Sequence, residues 1–211
     1  MQKSPGPVTA DDVDDVVANA VRALASRADR DWRVAAADLE WDCWETVEHV
    51  ADDLFAYALQ LAPKQPAVNG YLPVAYRVAR PGGPVSTVFA DPGAGTAGLI
   101  HVLDGCGGLL SSLVRTAAPT VRGYHPAGVS DPAGFAAMGL VEVLVHLHDL
   151  APVLEFDWQP DDDLCDRVLH RLFPDAPTDP GGWATLLWAA GRAGLSDRPR
   201  RNDWRWNSEP R

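Results

Sequence analysis

The sequence predicts an all-α fold in which several helices pack around one core. Apolar residues recur at helical spacing in most segments, and these segments begin at residues that commonly cap helices. Only residues 71–80 alternate in the way that is typical of a strand. With 211 residues, 46% of them hydrophobic, the chain is long enough for one well-packed domain.

The first two helices are indicated by their caps. Thr9 is suited to cap a helix over about residues 10–26, which has acidic residues in its first turn. Residues 31–41 form a connector. Asp42, with a glutamate three residues on, has capping-box spacing, so a second helix should cover about residues 44–61 before a proline stops it.

A long connection separates the second helix from the third. Residues 64–92 are rich in proline and glycine, and such a crossover permits a bundle that is not simply up and down. The stretch DPGAGTAG, residues 91–98, has two interpretations, a phosphate-binding loop or the start of a helix. It lacks the GK[ST] ending and follows no clear strand, which favours a third helix over about residues 95–117.

Three further helices are predicted in the C-terminal half. The fourth begins at Ser130 or Asp131 and ends near residues 152–154, where a proline occurs. The fifth covers about residues 161–173 and the sixth about 182–193. The basic tail that follows contains two tryptophans, so we expect it to fold back on the bundle and to reach the mouth of any site. The tryptophan-rich C-terminal third is compatible with core packing or with a homodimer interface.

Charge and cysteine content exclude some functions. A net charge of −11 argues against binding nucleic acid, since the one basic segment is residues 198–205. We expect no membrane segment, because no apolar run reaches the roughly 18 to 20 residues that a span needs, and no secretory signal. Three distant cysteines indicate a reducing, cytoplasmic setting. The scarcity of lysine beside abundant arginine and alanine is typical of actinobacterial genomes.

The most informative stretch is GLVEVLVHLHDL, residues 139–150, in the fourth helix. Glu142 and His146 lie four residues apart on an otherwise apolar face, so their side chains point the same way. They can form two corners of a metal site or a partly exposed ion pair. Asp149 continues the stripe and can orient a ligand histidine or pair at the helix end.

A third ligand must come from another element. His49, near the start of the second helix, is either a surface histidine on an acidic face or this missing ligand. Asp53, one turn later, can support His49 or lie in solvent, and the solvated interpretation is favoured. His101 on the third helix can also approach the site, although an isolated histidine is usually packed or exposed.

Two motifs carry a resemblance to a known family. The segment WETVEHV, residues 44–50, and the segment VEVLVHLHDLA, residues 141–151, together resemble the metal-binding N-terminal domain of mycothiol-dependent maleylpyruvate isomerases, in the DinB/YfiT-like superfamily. The resemblance implies a DinB-like four-helix bundle with a long crossover over residues 1–155, followed by a helical extension and an Arg/Trp tail, residues 156–211, packed on it.

By motif position, the family's three ligands fall on His49, Glu142 and His146. The resemblance implies a divalent metal, usually zinc, and the two imidazoles and one carboxylate also suit nickel or iron. It further implies that the metal activates the thiol of a small cosubstrate such as mycothiol, in a transferase or isomerase reaction on an anionic substrate. The isomerase has a second domain with an essential arginine. Here Arg198, Arg200, Arg201 or Arg205 can take its place, and activity on maleylpyruvate itself is not carried over.

The sequence is therefore compatible with three functions. The first is a metal-dependent thiol S-transferase or isomerase. The second is a non-catalytic module that binds a metal or ligand, for example in a stress response. The third is a structural helical protein without metal, whose mark would be Glu142 and His146 facing solvent with His49 distant. The enzyme requires a positively charged pocket beside an open metal site, so the surroundings of the site discriminate among them.

Overall fold

A computed structural model describes residues 6–211, and the N-terminal segment that the sequence analysis interprets as lacking a secretory signal lies partly outside the described residues. The described chain has six α-helices and one two-stranded antiparallel sheet, which confirms the all-α prediction. The helices are α1 Ala10–Ala25, α2 Cys43–Leu61, α3 Gly95–Thr116, α4 Pro132–Leu154, α5 Asp162–Leu172 and α6 Gly182–Ala189. The strands are β1 Arg77–Val78 and β2 Val85–Ser86, and a 3-10 turn, Pro92–Ala94, leads into α3.

The helices begin where their capping residues predict. Thr9 and Asp12 form a capping box at α1, and Asp42 and Glu45 form another at α2, with each side chain accepting the other's backbone N–H. Of the two candidates at α4, Asp131 is the cap, because its carboxylate accepts the Gly134 N–H at 2.8 Å. Short-range hydrogen bonding therefore sets these three boundaries.

Helices α1 to α4 pack as a four-membered ring in which α1 and α2 each contact both α3 and α4. Helices α2 and α4 are antiparallel, since His49 meets His146 near one end and Tyr57 meets Phe135 near the other. Helix α3 is antiparallel to α1, because the Thr96 hydroxyl at its start donates to the Ala28 carbonyl.

The C-terminal ends of α1 and α4 meet, as Arg27 Nε donates to the Glu155 carbonyl at 2.8 Å. These two helices are therefore parallel, and so are α2 and α3. Parallel neighbours need a connection that travels the full length of the bundle, which explains the long crossover of residues 62–94.

The crossover is attached to α2 by two buried carboxylates. Asp52 accepts the N–H groups of Thr87 and Val88, both at 2.7 Å, and Glu48 accepts the Ala90 N–H at 2.8 Å. Only residues 77–78 of the predicted extended stretch form a strand. The crossover thus covers one face of α2, the helix that carries His49.

Helix α4 lies at the centre of the protein, and nearly all of its side chains are buried. By length and composition alone, α4 and the segment Pro92–Thr116 are apolar enough to cross a membrane, and 78% of the α4 window and 39% of the other are buried inside the protein. Burial in the core accounts for the apolar character of α4.

The C-terminal part of the chain packs back on the bundle. Arg167 of α5 makes a bidentate ion pair with Asp12 of α1, both contacts at 2.7 Å. Further on, the fully buried Ser208 of the tail accepts hydrogen bonds from Ser130 Oγ and Arg171 at its carbonyl, at 2.7 and 2.9 Å. The tail is therefore a folded part of the structure.

Candidate metal centre

The structure brings the three predicted ligands together. His49 lies in the second turn of α2, and Glu142 and His146 lie one turn apart in α4. Because α2 and α4 run antiparallel, an early position on one helix faces a late position on the other. One ligand atom from each residue lies within 4.8 Å of the other two, and this group could hold a metal ion.

The distances fit a small divalent cation. Glu142 Oε2 lies 3.3 Å from His146 Nε2 and 3.9 Å from His49 Nε2. Bonds of about 2.0 to 2.2 Å place the ligand atoms of tetrahedral zinc roughly 3.3 to 3.5 Å apart. The two imidazole rings are nearly perpendicular, with centroids 5.2 Å apart. The cluster therefore needs only a small adjustment at His49 to enclose Zn²⁺ or a cation of similar size.

Burial and charge control the protonation of the three ligands. Burial lowers the pKa of His49 to about 4, so its imidazole is neutral and has a lone pair for a metal at pH 7. Burial also acts against the charged form of His146, but hydrogen bonding to Asp149 and Glu142 outweighs it and raises the pKa of His146. The pKa of Glu142 is lowered, because His146 outweighs its burial. A metal would thus replace a proton on His146.

A second layer of charge lies behind His146. Asp149 Oδ2 is 3.2 Å from His146 Nδ1, although the ring N–H does not point squarely at that oxygen. Arg192 holds the same carboxylate through Nε, 3.2 Å from both oxygens, and through a second nitrogen at 2.9 Å. Burial would raise the pKa of Asp149, but His146 and Arg192 outweigh it and lower the pKa. Asp149 is therefore an ionised residue that lies beside His146 and favours its positive charge.

Asp53 belongs to the cluster, which corrects the favoured solvated interpretation. Its Oδ2 lies 3.3 Å from His49 Nε2, and its side chain is only 22% exposed. Burial and the charge of Glu142 raise the pKa of Asp53 well above its usual value. Tyr57, one turn further along α2, is close to both carboxyl groups, and burial raises the pKa of its hydroxyl. The crossover covers this face of α2, so the acidic face is an inner surface.

The aromatic residue beside both imidazoles is Trp41, from the connector before α2. Its ring meets His49 edge to face at 4.7 Å between centroids and lies 6.4 Å from His146. The Trp41 indole N–H donates to the Gly82 carbonyl at 3.1 Å, which ties it to the β1–β2 turn. Trp41, rather than a tail tryptophan, therefore partly covers the cluster. Nothing in the sequence distinguishes it from a connector residue.

The arginine that contacts the surroundings of the cluster is Arg192, which holds Asp149, and the tail residues Arg200 and Arg201 line a surface groove together with these two. The Arg201 guanidinium lies 5.2 Å from the ring centroid of Trp188, and Arg205 lines a separate surface groove with Phe173 and Trp206. Arg192 follows α6, which ends at Ala189 and not near residue 193 as predicted. Its role depends on how α6 packs against the bundle, so it carries no local sequence signal.

The remaining candidate residues are not part of the metal-binding cluster. His101 is exposed on α3, and the stretch 91–98 forms the 3-10 turn and first turn of α3, where Asp91 accepts the Gly93 N–H. The three cysteines are buried, and burial raises their pKa values to about 11 for Cys43 and Cys106 and about 12 for Cys165. These thiols are therefore protonated at neutral pH.

Comparison with known proteins adds no relative to this description. No family model matches the chain, and neither the curated proteins nor the solved structures contain a significant match.

Proposed function

We propose that this protein is a divalent-metal protein of the DinB-like type, with zinc as the preferred ion, and that it catalyses a thiol-dependent transferase or isomerase reaction. The observation that carries the proposal is the His49, Glu142 and His146 group, whose ligand atoms lie within 4.8 Å of one another between two antiparallel helices. Glu142 and His146 are buried, whereas a solvent-facing pair would have marked a purely structural protein.

The number of ligands and their exposure indicate where a cosubstrate would bind. Three protein ligands leave a coordination position free, and His49, at 19% side-chain exposure, is more open than His146 at 6%. The more open side of the cluster is therefore the His49 side, which Trp41 partly covers. A divalent metal held by these residues would lower the pKa of a coordinating thiol or water and so supply a nucleophile near neutral pH.

The protein's own residues orient the ligands and accept the proton. Arg192 holds Asp149, and the Asp149 carboxylate lies behind His146, 3.2 Å from its Nδ1. On the open side, Asp53 Oδ2 is 3.3 Å from His49 Nε2, which makes it a nearby acceptor for a proton released by a thiol. Trp41 limits the access of water to this side.

The thiol part of the proposal is tested with cobalt as a coloured substitute for zinc. Metal-free protein is loaded with Co²⁺ and titrated with mycothiol, then with glutathione, while the visible spectrum is recorded. A saturable spectral change with a thiol supports a thiol-dependent enzyme. An unchanged spectrum at millimolar thiol contradicts it. The exposed His101 provides a matched control, since His101→Ala should behave as wild type whereas His49→Ala should lose the cobalt spectrum.

A non-catalytic metal-binding module is the second candidate, and one observation favours it. Arg192, the arginine beside the site, is already engaged by Asp149 through three N–H···O contacts. It is thus not a ready anchor for the anionic substrate that the family resemblance implies. Cobalt binding without any response to thiols would favour this second function.

A further inference from the structure

A large cavity lies between α2 and the crossover, on the face of α2 next to the metal centre. It has a volume of about 670 Å³, within the range typical of small-molecule sites. Its walls are mainly aromatic and aliphatic, and include Phe55, Tyr57, Tyr71, Leu72, Val74 and Tyr76. Several of these belong to the crossover, which also carries most of the large apolar side chains that remain exposed on the described surface. Such a concentration is typical of a binding surface.

Among the described residues, the cavity offers no positively charged side chain to an anion. Its lining contains two carboxylates, Asp52 and Asp53, and no lysine or arginine. The nearby arginines of the crossover are engaged elsewhere, since Arg77 stacks over Phe89 at 4.4 Å and Arg80 pairs with Glu45. An anionic ligand would therefore enter a largely apolar cavity without a countercharge, which is unfavourable.

Two polar groups can direct a ligand inside the cavity. Gln60 is only 3% exposed, and its Oε1 has no hydrogen-bond partner among the described residues, although Gln60 lines the cavity. A buried carbonyl oxygen without a partner can accept a hydrogen bond from a ligand. His125 Nδ1 accepts the Ala127 N–H at 3.1 Å, which leaves Nε2 as the N–H donor of the neutral ring. Burial lowers the pKa of His125 to about 4, so the ring is neutral at pH 7.

The cavity and the metal centre share two residues. Asp53 and Tyr57 line the cavity, while Asp53 contacts His49 and Tyr57 lies close to Glu142. A molecule that fills the cavity therefore lies one side chain away from the metal ligands.

We propose that this cavity binds the organic substrate of the protein, and that this substrate is an uncharged, largely apolar ring compound with a hydrogen-bond donor for Gln60. The role as substrate rests on the proposed function of the metal centre. The binding itself does not, because the cavity is formed by protein side chains alone.

The test compares two fluorescent probes with nearly the same ring system and different charge. N-phenyl-1-naphthylamine is neutral and has one N–H donor, and 1-anilinonaphthalene-8-sulfonate adds one negative charge. Each probe is titrated into wild-type protein, with and without chelator. The inference predicts saturable binding of one neutral probe per chain, at least tenfold tighter than binding of the sulfonate. Tighter or equal binding of the sulfonate, or no saturable binding of the neutral probe, overturns it.

A matched pair of variants locates the bound probe. Val74 lines the cavity and is 42% exposed, and Val78 does not line it and is 48% exposed. Both can be replaced by aspartate without disturbing the core. Val74→Asp should weaken the neutral probe at least fivefold, and Val78→Asp should leave its affinity within twofold of wild type. Equal losses in both variants overturn the assignment to the cavity.

A third variant fills the cavity from the other wall. Ala56 of α2 lines it, and Ala56→Trp should abolish probe binding while circular dichroism stays unchanged. Full affinity in a folded Ala56→Trp protein also overturns the inference. Metal content is measured on the same samples. Probe binding without metal refutes the proposed metal function alone, whereas metal binding without probe binding refutes the cavity assignment alone.

Discussion

Replacement of Arg192 by leucine should destabilise the protein strongly. Arg192 lies beyond the last helix, and none of its described hydrogen bonds goes to a proposed metal ligand. The side chains of Arg192 and Asp149 are only 12% and 8% exposed, so Arg192→Leu leaves a buried carboxylate without its main partner. Removal of one member of a buried ion pair costs about 3 to 5 kcal/mol. Because His146 still lies 3.2 Å from Asp149, we expect the lower end, about 3 kcal/mol.

Urea unfolding at pH 7, on metal-free protein, measures this effect. The control is Arg30→Leu, which breaks a pair with Glu155 whose side chains are 50% and 65% exposed and which should cost no more than about 1 kcal/mol. In the double variant Asp149→Asn/Arg192→Leu, no charge is left unpaired, so most of the loss should be recovered. A cost for Arg192→Leu equal to that of Arg30→Leu would refute the role of Arg192 as the partner that keeps Asp149 ionised.

Three further predictions concern the helices and the acidic residues. Gly107→Ala should cost about 1 to 3 kcal/mol in urea unfolding, because a Cβ there would lie 2.7 Å from a valine of α1. Gly108→Ala has open space around the new Cβ and should stabilise the protein by about 0.5 to 1 kcal/mol. The opposite ranking of the two variants would contradict the α1–α3 contact. Asp12→Asn should cost about 2 kcal/mol of unfolding free energy at pH 7, because the ion pair with Arg167 outweighs burial and lowers the pKa of Asp12. Below the usual aspartate pKa, the difference between the two proteins should shrink. It should vanish once the pH is below the lowered pKa, where Asp12 is protonated in the folded protein as well. Asp53→Asn should stabilise metal-free protein at pH 7 by about 1 kcal/mol, because burial raises the pKa of Asp53 and so disfavours its ionised form. This gain should disappear in acid, where Asp53 is protonated. For Asp12→Asn or Asp53→Asn, a difference from wild type in thermal unfolding that does not change with pH would contradict the pKa shift assigned to that residue.

The parts of the fold that depend on nearby residues could be predicted from the sequence. The boxes at Thr9 and Asp42 mark the starts of α1 and α2, because capping involves residues only three apart. The length and composition of the crossover also permitted a bundle with parallel neighbours. The end of α6 was placed too late, since Gly191 adopts φ 68° and the chain turns there.

The residues of the candidate site likewise differ in whether the sequence predicts them. Helical spacing predicts the pair of Glu142 and His146, whereas the residues alone leave His49 with two interpretations, and only the resemblance in motif favours its role as a ligand. Arg192 and Trp41 reach the cluster only through packing between distant segments. The sequence also does not predict that the crossover covers the acidic face of α2.

Metal content tests whether His49, Glu142 and His146 form a metal centre. Protein purified without chelator or histidine tag is incubated with Zn²⁺ at neutral pH, freed of excess metal and analysed by elemental analysis, beside His49→Ala, His146→Ala and the control His101→Ala. We expect about one equivalent in wild type and in His101→Ala, and a near-complete loss in the other two, since each removes one of three ligands. Wild-type protein without metal, or equal metal in all four proteins, would contradict a metal centre at His49, Glu142 and His146.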